Sequence, residues 1–239
     1  MNIVKTNYTL FFVFVLTAFV AVSLAGYREV TKDVAAQNAD IFNKRAILKA
    51  VENNLVPSGK VADLQDAQVL ELFDKMESHV LDMQGNEVSD VQATKIDMKK
   101  ERKKPEADRY LPVYIYDNGT EKFYILSVFG KGLWDDIWGY IALKSDLNTV
   151  AGAAFDHKGE TPGLGAEIKD NPSFSKHFEG TQIFKDGQFV SINVYKTAKD
   201  KLHAVDGISG ATITSAGVSA MLYSGLKNYL PYFEKIKQQ

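Results

Sequence analysis

The chain contains no cysteine. Disulfides, thiolate-held iron–sulfur clusters and cysteine nucleophiles are therefore excluded. Histidine is scarce. The four present, His79, His157, His177 and His203, show no zinc-type spacing such as His-Glu-x-x-His. The sequence also has no Ser-His-Asp grouping, P-loop or complete G-x-G-x-x-G fingerprint. An excess of either charge is missing as well. A formal net charge of −2 over 239 residues is a poor footprint for nucleic-acid binding, and no nucleic-acid partner is expected. One basic run, Lys99-Lys100-Glu101-Arg102-Lys103-Lys104, reads as a solvated linker ending at Pro105, with a nucleic-acid or lipid-headgroup patch as the other reading.

What is present is ordinary for a globular protein: 45% hydrophobic and 24% charged residues. Only the first 26 residues look different. Tyr8 to Ala25 reads YTLFFVFVLTAFVAVSLA, with no charge between Lys5 and Arg28. A helix of that length spans a hydrocarbon core about 30 Å thick. The expectation is a retained anchor through residues 8–25, the N-terminus inside and the bulk outside. Ser23-Leu24-Ala25 also offers the small residues of a signal-peptidase site, so a cleaved signal peptide is the rival reading. Lys and Arg are nearly balanced across the segment and orient it only weakly.

Roughly 210 residues follow, enough for one large domain or two small ones. Residues 28–56 have helical character, ending near Asn53-Asn54 and Pro57-Ser58-Gly59, and a second helix is expected over Asp63–His79. Strands are predicted at Leu111–Tyr116 and Phe123–Phe129, joined through Asp117-Asn118-Gly119-Thr120, a hairpin signal. Further strands are predicted at Trp138–Leu143, Thr149–Phe155 and Phe189–Tyr195. A short helix is expected over Ser173–Phe178. A last one runs from about Ser215 to Lys227, with Val218, Met221, Leu222 and Leu226 on one face and Pro231 as a stop. The fold class is α+β with a mixed or antiparallel sheet and flanking helices, behind one N-terminal membrane helix.

The sharpest segment is Asp206-Gly207-Ile208-Ser209-Gly210-Ala211-Thr212-Ile213-Thr214-Ser215. By composition it is a glycine-bearing turn entering a helix. Helix N-termini present unpaired N–H groups that suit an anion such as phosphate. Equally, Thr214 or Ser215 reads as a plain N-cap.

Asp206-x-x-Ser209-Gly210-Ala211-Thr212 resembles the flavinylation motif of the FMN-binding domain family. The resemblance implies that Thr212 accepts FMN from FAD through a dedicated flavin transferase, giving a phosphodiester to its hydroxyl. It places Asp206, Ser209, Gly210 and Ala211 around that acceptor. Gly130-Lys131-Gly132-Leu133-Trp134-Asp135, Gly139-Tyr140-Ile141-Ala142-Leu143 and Gly159-Glu160-Thr161-Pro162-Gly163-Leu164-Gly165 resemble the C subunits of sodium-translocating NADH:quinone oxidoreductases. On that likeness Thr161 and Gly163 bond the flavin edge, Leu164 packs on its face, and Trp134 lies on the flavin side. Core packing is the alternative for Trp134. Glu160-Thr161-Pro162-Gly163-Leu164-Gly165 is a turn by composition, and Glu160 reads as an ion-pair partner instead of a catalytic group, with no acid–base work assigned to it.

The division implied is an anchor over 1–26, a helical part and charged linker over 27–108, and an FMN-binding domain over 109–239. The resemblance implies electron transfer beside other subunits of a sodium-pumping complex in a bacterial inner membrane. The domain would lie on the outer face, and no complete reaction would be carried out by this chain alone. The G subunit of an Rnf-type electron-transport complex and a tethered, flavin-free binding or assembly protein are the alternatives.

Overall fold

The computed structural model of the chain describes residues 3–55 and 59–238. The expected helix end at Pro57-Ser58 lies outside these residues. The chain divides at Phe42 into two units. The first is helical throughout its described part. It belongs to helix α1, Ile3–Lys49, which continues without a break past Ala25 and Arg28. From Asn7 the helix is long and apolar enough to cross a membrane, and its apolar side chains, Leu10, Phe11 and Phe14 among them, are exposed.

The second unit, from Asn43, holds the remaining elements. Its helices are α2 Glu52–Leu55, α3 Asp66–Phe73, α4 Met98–Glu101, α5 Glu167–Asp170, α6 Pro172–Lys176, α7 Thr212–Lys227 and α8 Leu230–Lys237. Strands β1 Glu77–Leu81, β2 Leu111–Asp117, β3 Lys122–Lys131, β4 Asp136–Leu143 and β5 Val150–His157 pair in sequence order as an antiparallel meander. Two small pairs complete it: β6 Phe184–Lys185 with β7 Gln188–Phe189, antiparallel, and β8 Asn193–Tyr195 with β9 Ala204–Asp206, parallel. The Asn-Gly hairpin forms as expected between β2 and β3, with Asp117 opposite Lys122 and Gly119 at φ +82°.

Helix α7 is predicted correctly in its core-facing stripe. Val218, Met221, Leu222 and Leu226 are each 1% exposed or less, and the helix lies along β3. The approach is close because Gly217 faces the Lys131 carbonyl oxygen, where any Cβ would collide. Beyond α7, Tyr229 is fully buried. Its hydroxyl lies 2.8 Å from the Pro112 carbonyl oxygen and 3.2 Å from that of Ser127, and receives the Ser127 N–H at 3.3 Å. Burial pushes this phenol well up from its ordinary pKa. Tyr229→Phe keeps the ring and leaves these backbone groups short of a partner. Chemical denaturation should show a loss of about 1–2 kcal/mol, and an unchanged midpoint would show that the hydroxyl contributes nothing.

Four expectations are corrected. The helix expected over Asp63–His79 is α3 followed by β1, because Glu77–Leu81 pairs with β2 and buries Val80 and Leu81. Pairing with a neighbour overrides a helical pattern that short. The strand expected over Phe189–Tyr195 breaks at Ser191, whose φ is +60°, leaving β7 and β8. Pro231 does not end the chain's helical structure. It opens α8, where the first turn has no use for its missing N–H. The basic run is not a bare solvated linker. Asp97 caps α4, Lys99 pairs with the buried Asp136 at 2.6 Å, and Lys104 pairs with the buried Glu101 at 2.8 Å.

Candidate flavin site

β9 ends at Asp206, and the chain then turns into α7. The Ala211 N–H donates to the Ile208 carbonyl at 3.1 Å, with Gly210 at φ +78° in the bend. The left-handed conformation is why glycine stands there. Helix α7 begins at Thr212, three residues earlier than the sequence pattern suggests, and its N-cap is Ala211. Neither Thr214 nor Ser215 is the cap. Alanine offers no side-chain acceptor, and the first turn contains no acidic residue. The amide N–H groups of that turn are therefore left for another acceptor.

The hydroxyl-bearing residues of the segment have different surroundings. Thr212 is exposed. Thr214 is 1% exposed, and its hydroxyl donates to Glu160 Oε2 at 2.6 Å. Ser215 is 5% exposed, and its Oγ accepts the Ile208 N–H at 3.3 Å. Ser209 and Gly210 are exposed beside Thr212, and Ala211 is buried beneath them. A cleft of about 710 Å³ opens here. Its walls include Thr212, Ser209 and Gly210 together with Asn193, Tyr195 and Lys196. That volume is ample for a nucleotide-sized ligand.

Two other predicted segments meet this turn. Thr161-Pro162-Gly163-Leu164 closes a β-turn, with the Leu164 N–H donating to the Thr161 carbonyl at 3.1 Å and Gly163 at φ +72°. The proline and glycine thus occupy the positions read from composition. Leu164 reaches Gly210, its Cδ2 lying 2.8 Å from where a Cβ would be. Trp134, in the turn between β3 and β4, is 70% exposed, so the core-packing reading for it fails. Leu133, Leu164 and Ile213 are exposed as well, which leaves large apolar side chains in solvent on all three segments.

Glu160 joins the three. Its carboxylate, 4% exposed, accepts from Thr214, from the Trp134 N–H at 2.9 Å and from the Asp135 N–H at 3.5 Å. It makes no ion pair among the described residues, so the ion-pair reading for it fails. Burial would raise its pKa, but the hydrogen bonds from Thr214 and the two amides outweigh that and hold it below the ordinary 4.5. A depressed carboxylate stabilises the fold fully above its unfolded pKa, and the contribution is lost as pH falls through the folded value. The stability advantage of wild type over Glu160→Gln should therefore be constant near neutrality and shrink only below about pH 4.5. Thermal melts across that range check this. A gap that closes at higher pH contradicts it.

Asp206 does not face the cleft with a free carboxylate. Oδ2 takes the Lys201 ammonium at 2.6 Å and Oδ1 takes the Ala198 N–H at 2.7 Å. The Lys201 contact, with the Ala198 amide, keeps its pKa below the usual value. Its place is to hold the 196–201 loop, one wall of the cleft, against β9. Sequence reasoning missed Asn193, Tyr195 and Lys196. Nothing in their spacing marks them, since the parallel β8–β9 pair brings them beside Thr212. It also missed the Glu160–Thr214 bond, which spans 54 positions.

The site is thus a Ser-Gly-Ala-Thr turn and a cleft lined mainly by polar residues, at the entrance of the helix that lies along a meander sheet. Residues 132–227 match the FMN-binding domain family. The C subunit of the Na(+)-translocating NADH-quinone reductase of Pseudomonas aeruginosa is 34% identical over 92% of this chain and 90% of its own length. That of Haemophilus ducreyi is 39% identical over 56% of this chain, and the match spans 57% of that relative. A crystal structure of the Parabacteroides distasonis C subunit superposes with a TM-score of 0.73 at 33% identity, covering 84% of this chain and 96% of that one. The chain belongs to the family of Na(+)-translocating NADH-quinone reductase C subunits.

Proposed function

We propose that this chain is the membrane-anchored, FMN-carrying electron-transfer subunit of a sodium-translocating NADH:quinone reductase, with the flavin held through its phosphate on Thr212. The observation that carries the reading is the contrast among the hydroxyls of the first helical turn: Thr212 is exposed, while Thr214 and Ser215 are buried and bonded. Of these three a transferase can reach the first, and the likeness of the Asp206–Thr212 motif favours it over the exposed Ser209. The uncapped first turn of α7 suits the charge remaining on a phosphodiester.

Bound FMN supplies redox chemistry at its ring, which a phosphate linkage leaves unaltered. The chain's own residues position and shield. The Ile208–Ala211 turn presents Thr212, and Thr161, Gly163, Leu164 and Trp134 offer apolar and backbone contacts on the adjoining turns. The helix around residues 8–25 anchors the domain to the bacterial inner membrane, with the bulk outside. The remaining subunits supply NADH oxidation, quinone reduction and the sodium path. Similarity across nearly the whole of the Pseudomonas protein favours this complex over an Rnf-type one.

The test is in-gel fluorescence of the full chain on a denaturing gel after co-expression with a flavin transferase, with mass analysis of the peptide containing Thr212. A fluorescent band and an added FMN less water are expected. A dark band and unmodified peptide would instead point to a tethered, flavin-free binding or assembly protein.

A further inference from the structure

Glu160 is not the flavin acceptor, yet it is a buried carboxylate at the site. It sits where three chain segments meet, 4% exposed, with no ion-pair partner among the described residues. Side chains are excluded around it. A Cβ on Gly132 would collide with its Oε1, and one on Gly165 would collide with its Oε2 and come within 2.6 Å of the Thr214 Oγ1. A buried carboxylate is costly unless its lone pairs are used, and these are used entirely on the walls of the site.

We propose that Glu160 is a positioning residue for the flavin. Its carboxylate ties the Gly132–Asp135 turn to the entrance of α7 and keeps a fixed negative charge, bonded to the residue two positions after the acceptor Thr212. The first effect sets the spacing between Trp134, Leu164 and Thr212. The second is electrostatic: a fixed anion in a poorly solvated place opposes the arrival of electrons on a nearby group, so it lowers the potential of a flavin seated there. The helix N-terminus partly offsets that charge and explains how it is tolerated. The inference rests on Thr212 as the flavin acceptor.

Two variants separate these effects in the full-length chain co-expressed with a flavin transferase. In Glu160→Gln the amide oxygen still accepts from the Trp134 amide and the amide nitrogen donates to Thr214 Oγ1, so the ties survive without the charge. Its covalent flavin content should match wild type, and its midpoint potential should move to a more positive value. In Glu160→Ala the ties are lost, and flavin content should fall several-fold. A role in stability alone would shift neither the potential of the glutamine variant nor the attachment of a folded alanine variant. Should Glu160→Ala fail to fold, Thr214→Val cuts the same tie from the helix side and should also carry less flavin. Unchanged potential in Glu160→Gln overturns the electrostatic role. Wild-type flavin content in Glu160→Ala, or in Thr214→Val where the alanine variant does not fold, overturns the positioning role. A wild type without covalent flavin removes the reading of Thr212 itself, and this inference with it.

Discussion

Thr212→Val should abolish covalent flavin completely while leaving the protein folded. Valine keeps the shape and β-branching of threonine and removes only the hydroxyl. Thr212 is exposed and donates to no partner among the described residues, so little stability is at stake: a few tenths of a kcal/mol at an exposed helix position. Neither of the hydroxyls that follow it in the helix can take over. Thr214 is committed to Glu160, and Ser215 lies beneath the turn against Gly207, its Oγ 2.9 Å from where a Cβ would stand. The variant should run as a dark band beside a fluorescent wild type, with matching circular dichroism. Thr212→Ser should restore part of the signal, since it returns a hydroxyl to the same exposed place. Fluorescence that survives denaturation in the valine variant would locate the acceptor elsewhere and end the assignment.

The second large effect is structural, with a functional consequence. Gly217→Leu should destabilise the protein by about 3 kcal/mol, at the upper end of what overpacking usually costs. Glycine inside a helix is itself unfavourable by about 1 kcal/mol relative to alanine, so its presence in the middle of α7 needs a compensating contact. The contact is with the end of β3 and the residue after it: a side chain at 217 would meet the Lys131 carbonyl oxygen and, at 3.4 Å, Gly132 Cα. Backbone atoms of a central strand cannot yield as a flexible side chain can. The helix must lift, and its first turn carries Thr212 and Thr214, so flavin attachment should decline with stability. Denaturant titration and in-gel fluorescence read the two together. If the leucine variant unfolds at the wild-type midpoint, helix and strand are not held as closely as this contact indicates.

Long, regular patterns were legible in the sequence alone. The apolar run over Tyr8–Ala25 allowed only a spanning helix or a leader. The spacing of Val218, Met221, Leu222 and Leu226 predicted the buried stripe of α7, because a helix returns to the same face every three to four residues whatever it packs against. The Asn-Gly pair and Thr161-Pro162-Gly163 predicted turns for the same reason: their backbone preferences are local. The motif around Thr212 pointed to it as the acceptor through family likeness alone, and composition by itself left Thr214 and Ser215 in contention.

Other features needed the tertiary structure, because their causes are not local. Glu77–Leu81 is a strand only since β2 is there to pair with it, and Lys99 is a folded residue only since Asp136 is buried beside it. The start of α7 moves to Thr212 because the Ile208–Ala211 turn delivers the chain there in a helical path, overriding the weak helix preference of Thr-Ile-Thr. Above all, which hydroxyl is reachable was decided by packing. Thr212, Thr214 and Ser215 are chemically near-equivalent as letters. The fold alone turns Thr212 outward and points Thr214 at a buried carboxylate 54 residues away.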